Sequence, residues 1–94
     1  MKDVKYKILI VDDVPENITI VENILEVAGY ETTTATDGIT ALELVNEKKF
    51  DLILLDIMMP QMSGIEVCQH LKRNPLTFSI PVIFLTANSD RDTL

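Results

Sequence analysis

The sequence predicts an α/β protein built on a parallel sheet, and two observations lead to this prediction. Four short apolar runs recur along the chain, and amphipathic helical patterns separate them. Three of these runs are continuously apolar, which is typical of strands that are buried on both faces. Strands that alternate with helices favour right-handed crossovers and therefore parallel pairing. The predicted strands are residues 6–11, 30–35, 52–55 and 81–86.

The second run is more polar than the other three. Its centre, Glu31-Thr32-Thr33-Thr34, is rich in β-branched residues but not in apolar ones. Such a strand suits the edge of a sheet, where it is not enclosed on every side. We therefore expect the second strand to lie at an edge.

The first helix is predicted over residues 16–28, with Pro15 in its first turn and Gly29 as its stop. Its apolar residues form two adjacent stripes, so the helix carries a wide apolar arc. One stripe is Ile18, Val21, Leu25 and Ala28, and the other is Ile20, Ile24 and Val27.

Two further helices are predicted to begin at capping residues. Asp37 can cap the second helix, and the spacing of Ser63 and Glu66 is that of a capping box for the third. Asn74-Pro75 ends the third helix, because the residue before a proline disfavours the helical conformation. The predicted apolar positions are Ile39, Leu42 and Val45 in the second helix and Ile65, Cys68 and Leu71 in the third.

Composition excludes several classes of protein. The chain has 8 Lys and Arg against 15 Asp and Glu, a net charge of −7, which argues against a nucleic-acid-binding surface. The single cysteine, Cys68, excludes an internal disulfide framework and a cysteine-based zinc site. The sequence contains no apolar run long enough for a membrane span and no signal sequence. We expect a cytoplasmic protein in solution.

Acidic residues follow two of the predicted strands at the points where those strands end. Asp12 and Asp13 follow the first strand and Asp56 follows the third, whereas Thr86 ends the fourth. Ligands of open parallel sheets bind beyond the carboxyl ends of the strands. If the first and third strands are neighbours, the three carboxylates converge there, with Thr86 beside them.

Three carboxylates in one cleft repel one another, and two outcomes relieve the repulsion. One acid can take up a proton with a raised pKa, or a divalent cation can lie among them. Carboxylate, carbonyl and water ligands suit Mg²⁺ or Mn²⁺ rather than zinc. Such a cation keeps open positions for phosphate oxygens, and a carboxylate can be the nucleophile that forms an aspartyl phosphate.

Structural roles stay open for single residues of this pattern. Asp12 or Asp13 alone could cap the helix near Pro15, and a threonine at a strand end, such as Thr86, is commonly structural. His70, the only histidine, lies in the third predicted helix. We interpret it as a surface or boundary residue rather than as a phosphodonor.

Three segments resemble the receiver domain of bacterial two-component response regulators. Residues 8–13 (Ile-Leu-Ile-Val-Asp-Asp) are similar to the first strand and acidic pair of that family. Residues 54–64 (Leu-Leu-Asp-Ile-Met-Met-Pro-Gln-Met-Ser-Gly) resemble its phosphorylation segment, and residues 81–87 (Pro-Val-Ile-Phe-Leu-Thr-Ala) resemble its fourth strand and switch threonine. The resemblance implies a flavodoxin-like three-layer sandwich with a parallel sheet of order 2-1-3-4.

The resemblance also implies roles for single residues. Asp56 would accept a phosphoryl group from a histidine of a partner kinase or phosphotransfer protein. Asp13 and Asp56 would bind Mg²⁺ directly, Asp12 would assist through water, and the backbone carbonyl of Met58 would complete the protein ligands. Thr86 would hydrogen-bond the phosphoryl group. Such a protein is not an enzyme, although it assists its own phosphorylation and dephosphorylation.

Compared with the five strands and five helices of that family, residues 1–94 are expected to form a truncated receiver domain. The fifth strand, the fifth helix and most of a fourth helix that opens at Asn88 would be lacking, and with them the family's lysine and switch aromatic. We expect impaired phosphorylation, because that lysine would stabilise the transferred charge. We also expect a homodimer or higher association through the fourth strand and the first helix, which would be left partly bare.

Two other functions stay open on the sequence. One is an interaction or dimerisation fragment that cannot be phosphorylated. The other is a phosphohydrolase with an aspartate nucleophile, although that class separates its two aspartates by one residue whereas Asp12 and Asp13 are adjacent. Nucleotide binding is disfavoured, because no glycine-rich phosphate loop follows the first strand.

Overall fold

A computed structural model describes residues 5–85, in which strands and helices alternate strictly. The elements are β1 (Lys7–Val11), α1 (Pro15–Val27), β2 (Glu31–Ala35), α2 (Gly38–Glu47), β3 (Leu52–Asp56), α3 (Gly64–Arg73) and β4 (Val82–Leu85). All pairings are parallel, and the strand order is β2-β1-β3-β4. The predicted α/β class, the order 2-1-3-4 and the edge position of the second strand are confirmed. The expected helix start at Asn88 lies outside the described residues.

The register of the sheet brings the ends of β1 and β3 together. Val11, the last residue of β1, pairs with Ala35 on one side and with Leu55 on the other. Asp56, the last residue of β3, pairs in turn with Leu85 of β4. The residues that follow β1 therefore lie beside Asp56 at the carboxyl edge of the sheet.

The alternation of side chains along the strands divides the core into two layers. The larger layer lies under α2 and α3, and the smaller layer lies under α1. The smaller layer consists of buried Ile8, Ile10 and Ile18, with Val21, Leu25, Leu52 and Leu54 packed against them. Four β residues of the larger layer, Leu9, Val11, Ile53 and Leu55, have no exposed surface.

Helix α1 buries only one of its two predicted stripes. Ile18, Val21 and Leu25 pack on the sheet, whereas Ala28 follows the end of the helix and is exposed. The other stripe faces outward, with exposed fractions of 58% for Ile20, 63% for Ile24 and 90% for Val27. The partly bare surface expected on this helix is therefore present.

The predicted inner faces of α2 and α3 need correction. Of the predicted positions, Val45 and Leu71 are buried and Leu42 and Cys68 pack against the core, but Ile39 and Ile65 are exposed. The other buried positions are Gly38 and Ala41 in α2 and Gly64 and Val67 in α3. The helices approach each other at glycine, because a Cβ added to Gly38 would lie 2.7 Å from Val67 Cγ2. A pattern based on large apolar residues misses contacts that depend on the absence of a side chain.

The residues predicted to mark the helix ends are confirmed, although α1 spans Pro15–Val27 rather than residues 16–28. Pro15 is the first residue of α1, and Gly29 follows that helix with a left-handed φ of 99°. The Asp37 carboxylate accepts the Thr40 N–H at 2.7 Å. At the start of α3, Ser63 Oγ accepts the Glu66 N–H and Glu66 Oε1 accepts the Ser63 N–H. None of the helices within residues 5–85 has the length and hydropathy to cross a membrane.

Candidate metal centre

The carboxyl edge of the sheet gathers three aspartates. Asp12, Asp13 and Asp56 each offer a carboxylate oxygen, and these oxygens all lie within 4.8 Å of one another. Asp12 is 4% exposed and Asp56 is 7% exposed, whereas Asp13 is partly buried. The convergence predicted from the strand ends is therefore present, and it concentrates three acidic groups in one small, mostly buried cluster.

Asp12 is held by two hydrogen bonds, one to each carboxylate oxygen. The backbone N–H of Val14 donates to Oδ1 at 2.9 Å, and the side-chain amide of Asn17 donates to Oδ2 at 3.3 Å. The N-cap of α1 is Val14, which forms no side-chain cap. The alternative interpretation of Asp12 or Asp13 as the cap of this helix is therefore wrong, because Val14 occupies the N-cap position.

Asp56 combines burial with close negative charge. Burial raises the pKa of its carboxyl to about 6, and the charge of Asp12, followed by the contact with Asp13, acts in the same direction. The backbone N–H of Met58 donates to Asp56 Oδ1 at 3.3 Å, which lowers that pKa in part. The cluster therefore concentrates negative charge that a bound cation would neutralise.

The loop after Asp56 folds back so that α3 begins against the end of β3. The Gly64 N–H donates to the carbonyl of Ile57 at 2.9 Å, and the Met62 N–H donates to the carbonyl of Pro60 at 2.7 Å. Gln61 has a left-handed φ of 70° inside this turn. Neither the sequence nor its spacing marked Gln61, because asparagine or glycine is the usual residue in that conformation.

The remaining predicted site residues are placed as follows. Met58 lies beside Asp56 through its backbone, and its side chain is exposed. His70 is exposed in the last turn of α3, at the far end of that helix from Gly64, as expected for a surface residue. Thr86 lies outside the described residues. Asn17 was missed as a site residue, although an amide in the first turn after an acidic pair could have indicated it.

The donor set fits a hard divalent cation. The three convergent side chains supply only carboxylate oxygens. Mg²⁺ and Mn²⁺ prefer such ligands, and a site with few protein carboxylates leaves positions for water and phosphate. A cation there would also oppose the burial and the repulsion that raise the pKa of Asp56.

Comparison with known families identifies the class of the protein. The family model of the response regulator receiver domain matches residues 8–94. The chain therefore belongs to the response regulator receiver domain family, as the resemblance of its sequence motifs implied.

Individual relatives agree with this assignment. An uncharacterized transcriptional regulatory protein, YrkP of Bacillus subtilis, is 48% identical over 84 residues, which are 89% of this chain and 35% of that protein. Response regulator PleD of Caulobacter vibrioides is 46% identical over 85 residues, which are 90% of this chain and 19% of that protein. The chain thus spans about a third or less of the length of these two relatives.

Solved structures show the same fold. The N-terminal domain of a response regulator receiver protein from Methanoculleus marisnigri superposes with a TM-score of 0.86 at 44% identity, covering 88% of this chain and 68% of that one. The receiver domain of sensor histidine kinase PA1611 from Pseudomonas aeruginosa, which has a magnesium ion coordinated in its active site cleft, gives a TM-score of 0.85 at 33% identity, covering 95% and 75%.

Proposed function

We propose that this chain is a phosphoacceptor module of a two-component phosphorelay, in which Asp56 accepts a phosphoryl group in the presence of Mg²⁺ or Mn²⁺. The observation that carries the proposal is the convergence of Asp12, Asp13 and Asp56 within 4.8 Å at the carboxyl edge of the sheet. The donor is a phosphohistidine of a histidine kinase or of a histidine phosphotransfer protein. Such donors act in the cytoplasm, where we place this chain.

The roles proposed for single residues are those that the resemblance of the sequence motifs implies, and the convergence of the three aspartates supports them. Asp13 and Asp56 hold the cation directly, Asp12 acts through water, and the backbone carbonyl of Met58 is the remaining protein ligand. When bound, the cation neutralises charge on the phosphoryl oxygens. Thr86 is proposed to hydrogen-bond one of those oxygens.

The transfer itself is a displacement at phosphorus. A carboxylate oxygen of Asp56 forms the new P–O bond, the N–P bond of the donor breaks, and its electron pair returns to the imidazole ring. Asp56 suits this role because it ends β3 and its carboxylate lies within 4.8 Å of those of Asp12 and Asp13, which would hold the cation. Its pKa of about 6 leaves it mainly ionised, and therefore nucleophilic, at neutral pH.

We also propose that phosphorylation of the 94-residue chain is slow. In residues 1–94 taken by themselves, no lysine follows β4 to share the charge of the phosphoryl group. An interaction fragment that binds the cation but takes up no phosphoryl group is the second candidate function. The two candidates differ only in whether Asp56 reacts.

Self-association of the chain is proposed from its exposed apolar surface. Ile20 and Ile24 of α1 are 58% and 63% exposed, and Ile83 of β4 is 52% exposed. Ile83 pairs with Leu54, which packs in the layer under α1, so these side chains belong to one side of the sheet. Within residues 5–85, β4 also forms an edge of the sheet, and an apolar edge favours pairing with a second copy.

Phosphoryl uptake tests the proposed function directly. The chain is incubated with Mg²⁺ and acetyl phosphate, and intact mass spectrometry measures the gain of one phosphoryl group. Loss of that gain in Asp56→Asn, but not in the control Asp51→Asn, supports the phosphoacceptor function. Mg²⁺ binding without any mass gain favours the interaction fragment, and the absence of Mg²⁺ binding contradicts both.

A further inference from the structure

We propose that Asn17 is a positioning residue of the metal centre, acting through Asp12. The inference rests on the proposed function and extends it to a residue outside the acidic cluster. The side-chain amide of Asn17 donates to Asp12 Oδ2 at 3.3 Å, from the first turn of α1. This is a hydrogen bond between two side chains, so it depends on the identity of residue 17.

The two hydrogen bonds of Asp12 differ in what they require. The bond to Oδ1 comes from the backbone of Val14, and any residue except proline would supply it at that position. Among residues 5–85, the bond to Oδ2 comes only from the Asn17 amide. With one hydrogen bond, the carboxylate can still rotate about its Cβ–Cγ bond. Two hydrogen bonds to different oxygens fix the orientation of the carboxylate plane. Asn17 therefore sets the orientation of Asp12.

The chemistry of the donor suits a cation site. An amide is neutral, so it orients the carboxylate without reducing the negative charge that attracts the cation. A lysine or arginine at this position would compete with the metal, and an acid would add repulsion. Each carboxylate oxygen has a second lone pair, so Asp12 can still accept a hydrogen bond from a metal-bound water.

A purely helical role explains Asn17 poorly. It is the third residue of α1, where asparagine is a weak helix former, and the N-cap Val14 offers no side chain for a reciprocal capping box. The Asn17 side-chain amide donates its hydrogen bond to Asp12 rather than to the backbone at the helix start. Asn17 itself is exposed, so packing does not require it.

Residues that hydrogen-bond to metal ligands commonly tune the affinity for the metal. The test therefore measures Mg²⁺ binding rather than phosphorylation. Isothermal titration with Mg²⁺ compares the wild type with Asn17→Leu, which removes the amide at similar size. We expect about tenfold weaker binding for this variant, at the lower end of such effects. Asn17→Gln keeps an amide in the same exposed turn and is expected to restore most of the affinity.

Two controls separate positioning from a general effect on the helix. Asn23→Leu makes the same change at an exposed position of α1 and should leave Mg²⁺ affinity unchanged. Thermal unfolding in EDTA should be similar for Asn17→Leu and Asn23→Leu. Without metal, the side-chain amide resonances of Asn17 should differ between the wild type and the variant Asp12→Asn.

The outcomes are distinguishable. If the wild type binds Mg²⁺ and Asn17→Leu binds it within about twofold of the wild type, the role of Asn17 is overturned while the proposed function stands. If Asn17→Gln binds Mg²⁺ as weakly as Asn17→Leu, the amide group is not what positions Asp12, and the inference is likewise overturned. If the wild type does not bind Mg²⁺ at all, the proposed function fails and the inference fails with it.

Discussion

Gly64 begins helix α3 directly against Asp56, so that a Cβ added to Gly64 would overlap the Asp56 carbonyl oxygen. The Gly64 N–H meanwhile donates to the next carbonyl, that of Ile57, at 2.9 Å. The absence of a side chain at residue 64 therefore determines how closely the helix approaches the residue that we propose as the phosphoacceptor.

Gly64→Ala should disturb both stability and the metal centre. The added methyl group must displace the backbone of Asp56, and overpacking of this kind costs about 1–3 kcal/mol. Urea unfolding in EDTA measures that cost, and titration with Mg²⁺ should show weaker binding. Gly29→Ala is the control, because it strains a left-handed backbone in open space and should leave Mg²⁺ affinity unchanged. Equal Mg²⁺ affinities for Gly64→Ala and the wild type would contradict the argument.

Asp56 should make the stability of the metal-free protein fall as pH rises. Its pKa is about 6 in the folded protein, above the ordinary value of 3.8, so the folded state holds this proton more tightly. The resulting stabilisation is complete below the ordinary pKa and is lost as pH rises through the folded value. Each unit of difference corresponds to about 1.4 kcal/mol, which sets an upper limit of about 3 kcal/mol on the loss.

The variant Asp56→Asn removes this titrating group, and the carboxyl groups outside the aspartate cluster have the same surroundings in both proteins. In EDTA, we expect the variant to gain stability over the wild type mainly between about pH 4 and about pH 6, the ordinary and the folded pKa of Asp56. Urea denaturation at several pH values measures the difference. A difference that does not change with pH would show that the Asp56 carboxyl is not perturbed in the folded state.

Asp13→Asn should weaken Mg²⁺ binding by about tenfold or more, equivalent to about 1.4 kcal/mol. The reason is the loss of one of three carboxylates whose oxygens lie within 4.8 Å of one another. The variant Glu43→Gln removes the same charge from an exposed position on α2 and should bind Mg²⁺ like the wild type. Similar affinities for Asp13→Asn and Glu43→Gln would remove Asp13 from the proposed site.

Ser63→Ala should destabilise the protein by about 1 kcal/mol. Ser63 Oγ accepts the Glu66 N–H at the start of α3, and alanine would leave that N–H without its partner. Denaturant unfolding compares this variant with Ser79→Ala, in which an exposed loop serine is replaced. The capping box would be energetically unimportant if the two variants were equally stable.

Self-association should depend on the outer stripe of α1. Sedimentation equilibrium over a range of protein concentrations should show a rising average mass for the wild type and a lower one for Ile24→Glu. Ile39→Glu is the matched control, because Ile39 is 54% exposed against 63% for Ile24 but lies on α2 across the sheet. A wild type that stays monomeric at all concentrations would contradict the proposal.

Local patterns were sufficient to predict most of the elements. The apolar runs located the four strands, and Asp37, Ser63 and Gly29 marked helix ends correctly. These predictions succeeded because strand burial, capping and left-handed termination each depend on a few consecutive residues. The predicted faces of α2 and α3 failed at Ile39 and Ile65, because the true contacts are made at glycines.

The sequence by itself determined the α/β class, the family motifs and the placement of acids at the ends of two strands. The sequence predicted the convergence of Asp12, Asp13 and Asp56 only on the condition that β1 and β3 are neighbours, which the tertiary structure supplied. Only the tertiary structure decided that burial raises the pKa of Asp56 and that Asn17 donates to Asp12. The physical reason is distance. Electrostatic repulsion, desolvation and hydrogen bonding between these groups depend on how β1, β3 and α1 are placed in space, and no local pattern specifies that placement.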